Sequence, residues 1–186
     1  DEDKTVKLTL SVDPGKRIYV NRIKFNGNVV TADSVLRQNV SQMEGTWLSN
    51  NLLESSKNQL SRLTYMEEVE FETVRIPGSE DKVDVNFNVK EQPSGSFNAG
   101  IGYGDRTKLS LQAGIQQDNF LGTGKRVGLN LSTVSYQRSA QITYNDPYFT
   151  IDGISLGGSI GYSEFDGSDF NVIQYNSKRW SIGANI

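Results

Sequence analysis

Apolar and polar positions alternate along most of this chain, with one interval of helical spacing in its first half. Val6, Leu8, Leu10 and Val12 alternate with Lys7, Thr9 and Ser11, predicting a strand over Lys4 to Val12 that ends at Asp13-Pro14-Gly15. Arg17 to Asn26 predicts a second strand. Ile18 and Val20 are in one phase and Ile23 and Phe25 in the other, a slip that marks a bulge. Thr31 stands where an N-cap is expected, opening a short helix through Val40 with Val35, Leu36 and Val40 inward. Ser49 caps a longer helix whose Leu52, Leu53, Ser56, Leu60 and Leu63 form one stripe. Val69, Phe71 and Thr73 then oppose Val83, Val85, Phe87 and Val89 across Ile76-Pro77-Gly78-Ser79, which suits a type II turn. The predicted order is strand, helix, helix, strand, strand.

Beyond Gln92-Pro93-Ser94 the period is two throughout. Phe97, Ala99, Ile101 and Tyr103 alternate with Asn98, Gly100, Gly102 and Gly104, and Leu109, Leu111, Ala113 and Ile115 alternate with Ser110, Gln112 and Gly114. Further segments run over Val127 to Leu131, Ala140 to Tyr144, Ile154 to Tyr162 and Trp180 to Ile186. Six strands in a meander are predicted, turning at Gly104-Asp105-Arg106, Leu121 to Gly124, Tyr136-Gln137-Arg138 and Asp146-Pro147.

Composition separates the same two halves. Residues 1–94 hold 27 charged side chains and 4 glycines, and residues 95–186 hold 14 of each, so a boundary falls near Pro93. The chain has no His and no Cys, which excludes a Ser-His-Asp triad, a thiol nucleophile, a disulfide and a zinc thiolate site. A net charge of -3 gives no general attraction to nucleic acid. Asp1 to Val12 lacks the order of a signal peptide, which fits a cytosolic start or a piece of a longer protein. No apolar run approaches the ~18–20 residues of a membrane helix.

Alternation alone fits a soluble sandwich as well as a membrane barrel. The polar face of the second half is mostly Gly, Ser, Asn and Gln, where a soluble sheet would carry Lys, Glu and Thr. Small neutral residues suit a wet barrel lumen, with the Leu, Ile, Ala and aromatic face toward lipid. Because such barrels close with ~8 or more strands, the six predicted here would begin a longer one.

Three groups of residues carry a family resemblance. They are the strand-helix-helix-strand-strand unit with its Gln42-Met43-Glu44-Gly45 loop, the run Gln117-Asp118-Asn119-Phe120-Leu121-Gly122-Thr123-Gly124, and Asn145-Asp146-Pro147-Tyr148-Phe149. The unit resembles a POTRA domain, and nearly the whole chain resembles the BamA family, central subunits of the Gram-negative outer-membrane protein assembly machine. The fold class expected is therefore an α+β POTRA domain (β-α-α-β-β) followed by an all-β antiparallel meander, the N-terminal part of a transmembrane β-barrel. Residues 1–15 would end a preceding POTRA domain, 16–92 form the next, and 93–186 begin the barrel.

The resemblance implies an outer-membrane location with the POTRA part in the periplasm. It also implies assembly of barrel proteins by strand templating, without cofactor, metal or enzymatic step. Partners would be accessory lipoproteins, unfolded outer-membrane clients and outer-membrane lipid, with no nucleic acid. A POTRA-barrel secretion transporter and a soluble β-rich adhesion or binding domain are the alternatives.

Candidate site residues fall in two places. Met43 and Trp47 could anchor a partner or merely cover the helix pair, and the resemblance adds Arg37 and Glu44 as a docking surface for a lipoprotein. Ser96, Phe97, Asn98, Ala99, Gly100, Ile101, Gly102, Tyr103 and Gly104 form a glycine-rich strand whose free side would pair weakly. By resemblance it would be one side of a lateral seam admitting client strands.

Other motifs have ordinary explanations. Gly153-Ile154-Ser155-Leu156-Gly157 matches a nucleophile elbow but is expected inside a strand, in a chain without a histidine base. Gly122-Thr123-Gly124-Lys125 is expected to be a hairpin connection, not a phosphate loop. Glu67, Glu68, Glu70 and Glu72 are expected on a solvated strand face.

Overall fold

The computed structural model describes residues 16–105, 107–150, 152–167 and 175–186. The strand predicted over Lys4 to Val12, its Asp13-Pro14-Gly15 ending and Arg106 lie outside the described residues. The first unit runs β1 (Tyr19–Asn26), α1 (Asp33–Arg37), α2 (Asn50–Ser61), β2 (Met66–Arg75) and β3 (Lys82–Glu91), in the predicted order. Its sheet has the order β1-β3-β2, with β1 parallel and β2 antiparallel to the central β3.

β3 takes the centre because Val83, Val85, Phe87 and Val89 are all buried, the pattern of a strand covered by helices on one face. Phe87 is fully buried with Phe25 stacked at 5.6 Å and Phe71 tilted at 5.9 Å. Leu36, Leu53 and Leu60 close the core from the helices. The phase slip in β1 is a register shift between Val20 and Arg22. The Ile76 to Ser79 turn has Gly78 at φ 84° and a 3.1 Å Ser79 N–H bond to the Ile76 carbonyl.

Three predicted details are corrected. The N-cap of α1 is Ala32, and the helix stops at Arg37, short of Val40. Thr31 cannot cap, since its hydroxyl accepts from Asn119 and its N–H donates to Glu91. Ser49 does cap α2, accepting from the Leu52 N–H, but Leu52 is exposed and only Leu53, Ser56 and Leu60 of its stripe are buried. Leu63 packs partly buried against the core just past the helix.

The second unit is one antiparallel meander of β4 (Gly95–Gly104), β5 (Lys108–Gln117), β6 (Arg126–Val134), β7 (Gln137–Asp146), β8 (Leu156–Asp166) and β9 (Asn176–Asn185). Gln137 and Arg138 belong to β7 and not to the turn before it, and β8 begins at Leu156, later than the expected Ile154. Register carries one continuous row across all six strands: Phe97, Ile115, Leu129, Ile142, Ile160 and Ile182. The adjacent row in the opposite phase is Asn98, Gly114, Asn130, Gln141, Gly161 and Ser181. One face is therefore apolar and exposed, the other small and polar, which is the two-sided pattern of a membrane barrel wall.

The elbow-like motif spans a turn and the start of β8, with no helix following, so it has the wrong setting for a nucleophile. Among the described residues no helix is long and apolar enough to cross a membrane, which says nothing about strands.

Candidate functional site

β1 lies at one edge of its sheet, and an edge strand leaves N–H and C=O groups pointing outward. The loop between α1 and α2 satisfies them. Leu48 N–H donates to the Ile18 carbonyl at 2.9 Å, Val20 N–H to Thr46 at 2.9 Å, and Gly45 N–H to Val20 at 2.7 Å. Glu44 and Arg37 finish the cover one step further along. Ile23 N–H donates to Glu44 Oε1 at 2.8 Å, and Arg37 Nη2 donates to the Ile23 carbonyl at 2.6 Å.

The pair is also joined directly, Arg37 Nη1 to Glu44 Oε1 at 3.1 Å, while Arg37 Nε reaches Asp33 at 2.6 Å. The Ile23 N–H, and then the Arg37 guanidinium, hold the Glu44 carboxyl below the usual carboxylate range. The resemblance implies a docking surface for these two charges; what the structure shows is that both bond to Ile23 on the outer side of β1.

Gln42, which the resemblance places in the Gln42 to Gly45 docking loop, is the residue that builds that loop. Its side chain is buried, donating to Thr46 Oγ1 at 2.8 Å and the Trp47 carbonyl at 2.9 Å and accepting from Ser49 N–H at 3.1 Å. A polar residue between two predicted helices gives no signal of such a knot until its partners are folded around it. The loop so held pushes its apolar side chains outward. Met43 is 70% exposed and Trp47 56% exposed, so Trp47 is no lid on the helix pair. Arg17 lies 4.1 Å over the Trp47 ring, a cation–π contact. Leu52 joins Met43 and Trp47 along one open cleft. The candidate residues Arg37, Met43, Glu44 and Trp47 are thus gathered on one loop and the helix before it.

The glycine-rich strand is elsewhere. β4 starts one residue before the predicted Ser96 and pairs with β5 alone among the described residues. Its glycines differ in setting: a Cβ on Gly100 would meet nothing within 4 Å, whereas one on Gly102 would meet the Ser110 hydroxyl and one on Gly104 the Thr107 hydroxyl.

The two units meet through barrel-end turns. A short 3₁₀ turn over Phe120–Gly122 lies against the β1–α1 loop, where Ala32 N–H donates to the Gly122 carbonyl at 2.9 Å and Asn119 Nδ2 to Thr31 Oγ1 at 2.8 Å. Gly122 (φ 74°) and Gly124 (φ 72°) permit this approach, because a Cβ on the first would strike the Val30 carbonyl and on the second the Val35 side chain. The segment read as a hairpin connection is therefore also a docking turn. Tyr148, after β7, donates to Asn39 Oδ1 at 2.8 Å. Burial within this junction pushes the Tyr65 hydroxyl up to about 12. The acidic run is solvated as expected, with Glu67 paired to Lys90 and Glu70 to Lys57, both at 3.0 Å.

Two family models match this chain: the POTRA domain, described as a surface antigen variable number repeat, over residues 18–92, and the Omp85 superfamily domain over 119–186. The outer membrane protein assembly factor BamA of Neisseria meningitidis is 37% identical over 185 residues, 100% of this chain and 23% of that protein. BamA of Buchnera aphidicola is 31% identical over 183 residues, 98% of this chain and 30% of that protein. The chain thus spans about a quarter of the length of these relatives. A crystal structure of Haemophilus ducreyi BamA lacking POTRA domains 1-3 superposes with a TM-score of 0.82 at 43% identity, covering 92% of this chain and 32% of that one. The outer membrane, with the POTRA unit on its periplasmic side, is the location these findings establish.

Proposed function

Because the chain belongs to the BamA family within the Omp85 superfamily, we propose that it carries two working parts of an outer-membrane protein assembly factor, a docking POTRA domain and the first side of a strand-templating seam. Residues 16–92 act as the POTRA domain and 93–186 begin the barrel. The observation that carries the reading is β4. Among the described residues it pairs only with β5, and a Cβ on Gly100 would meet nothing within 4 Å. A strand with one open edge offers main-chain donors and acceptors to any incoming strand, giving affinity without sequence preference. Gly100, Gly102 and Gly104 supply no side-chain contacts that would resist exchange.

The Met43, Trp47 and Leu52 surface, with Arg17 over the Trp47 ring and Arg37 and Glu44 on the same loop and the helix before it, docks an accessory lipoprotein, while the apolar face of β4 to β9 meets outer-membrane lipid. An exposed aromatic beside charged hydrogen-bonding groups is the usual anatomy of an anchor. No bond is made or broken in this scheme, and unfolded barrel clients are its substrates.

The test is the double variant Gly100→Val, Gly102→Val in the full-length protein, scored by the rate at which a barrel client folds into vesicles. A side chain at Gly100 meets no packed atom and one at Gly102 need only turn the Ser110 hydroxyl aside, so Gly100→Val alone, run beside the double variant, reports strand stiffness. At ~0.5–1 kcal/mol of added order per position, the rate should fall about tenfold. An unchanged rate removes β4 from the mechanism.

A further inference from the structure

The β1–α1 loop carries a group of apolar side chains that the function above does not use. Val29 is 90% exposed and Val30 64%, and across the junction Leu121 is 81% exposed on a backbone with φ 53°. A leucine held in the left-handed region with its side chain in the open is strained without gaining burial from the described residues. The two loops form one surface, because Gly122 packs on the Val30 carbonyl and Ala32 N–H bonds to the Gly122 carbonyl.

Register settles which side of the wall this surface lies on. Gln117 pairs with Gly95 and Val127, in phase with Ile115 and Leu129, so it leaves the sheet on the apolar face. The cleft it shares is lined by Val29 and Val30. Arg126 and Asn145 leave on the polar face, and the cleft there is lined instead by Gln38, Asn39 and Arg62. The valine loop therefore shares its cleft with the lipid-facing side of the wall, at Gln117, which lies about 7 Å along the strand from Ile115 and in the same row as Val127 and Tyr144.

The backbone is prepared for such a setting. An N–H group brought to a bilayer boundary must already have a partner, and Glu91 supplies one to each of Val29, Val30 and Thr31, at 3.0, 2.9 and 2.7 Å. The same contacts turn the nearest carboxylate inward, away from the apolar surface.

We propose that the β1–α1 loop rests in the membrane, with Val29, Val30 and Leu121 entering the headgroup–acyl boundary of the periplasmic leaflet. Lipid then fixes the POTRA domain at a third point, beside the docking turns at Phe120–Gly122 and Tyr148. The inference rests on the membrane-wall reading of β4 to β9 and adds a contact outside that wall.

Single cysteine variants of the full-length protein, each carrying an environment-sensitive fluorophore, would be placed in phosphatidylcholine vesicles with and without lipids brominated at shallow acyl carbons. Val29→Cys and Leu121→Cys should lose about half their emission or more, as for a group seated ~5–10 Å into the boundary. Ile182→Cys, within the lipid-facing row, should be quenched at least as strongly. Val74→Cys, an exposed valine whose strand partner Asp84 lies seven residues before Glu91, should not respond. Quenching at Ile182 without quenching at Val29 and Leu121 overturns the loop contact alone, including the case in which another part of the full chain covers it. No quenching at Ile182 overturns the wall and the loop contact together.

Discussion

Glu91 joins the end of β3 to the β1–α1 loop, and replacing it with Gln tests how that loop is held. Oε2 accepts from Val29 and Val30, and Oε1 from Thr31. Glutamine keeps one acceptor oxygen and turns an amide NH2 toward the remaining backbone donors, so at least one bond is lost and the others lose their charge. A hydrogen bond to a charged group contributes ~1.5–3 kcal/mol, and the half-open site places this one near the lower end. About 2 kcal/mol in local opening corresponds to roughly 30-fold faster exchange of the loop amides. Hydrogen exchange of Val29 to Ala32 in the full-length protein measures it.

The pH dependence has a definite sign. Burial alone would raise the Glu91 carboxyl, but the Thr31 hydroxyl and the three backbone N–H groups outweigh it and hold the carboxyl below its ordinary value. Protection is then complete above the ordinary glutamate range and is lost only as pH falls through the lowered folded value. In Glu91→Gln that acid loss should vanish, after correction for intrinsic exchange. Unchanged protection in the variant at neutral pH would refute the reasoning.

Two further outcomes are expected. Gly122→Ala should separate the Phe120–Gly122 turn from the β1–α1 loop, since the new methyl meets the Val30 carbonyl and φ 74° is unfavourable for Ala; a cost above ~1 kcal/mol should appear as faster limited proteolysis between 92 and 95. Phe87→Ala should lower POTRA stability by about 3–5 kcal/mol, because the side chain is fully buried between Phe25 and Phe71. Calorimetry of the full-length protein should show the POTRA transition move to lower temperature while the barrel transition stays in place.

The strands were legible in the sequence because each buries or exposes alternate residues, so a period of two is written into them whatever their neighbours. The bulge near Val20 and the Ser49 cap were legible for the same reason, being local. Thr31 was misread because its partners, Glu91 and Asn119, are 60 and 88 residues away. The hydroxyl that could have capped α1 is engaged by the second unit. Arg37 and Glu44 were singled out as charges, but their bonds to Ile23 depend on where an edge strand ends, which periodicity does not encode. Gln42, Gly122 and Tyr148 stand in the motifs that carry the family resemblance, but their contacts were not legible, since each bonds between segments that look independent along the chain.

The closed edge of β1 makes the POTRA sheet directional. Among the described residues β2 pairs only with β3, so its outer side is open while the opposite side is sealed by the chain's own loop. A sheet with two open sides could be a link in an endless stack, recruiting one strand on each flank. Here only the β2 side leaves a whole strand length uncovered, so a stack could not grow evenly from both flanks. Under the proposed function, in which the chain meets unfolded β-strands, the cover at Ile18, Val20 and Ile23 would separate holding a client from seeding an aggregate.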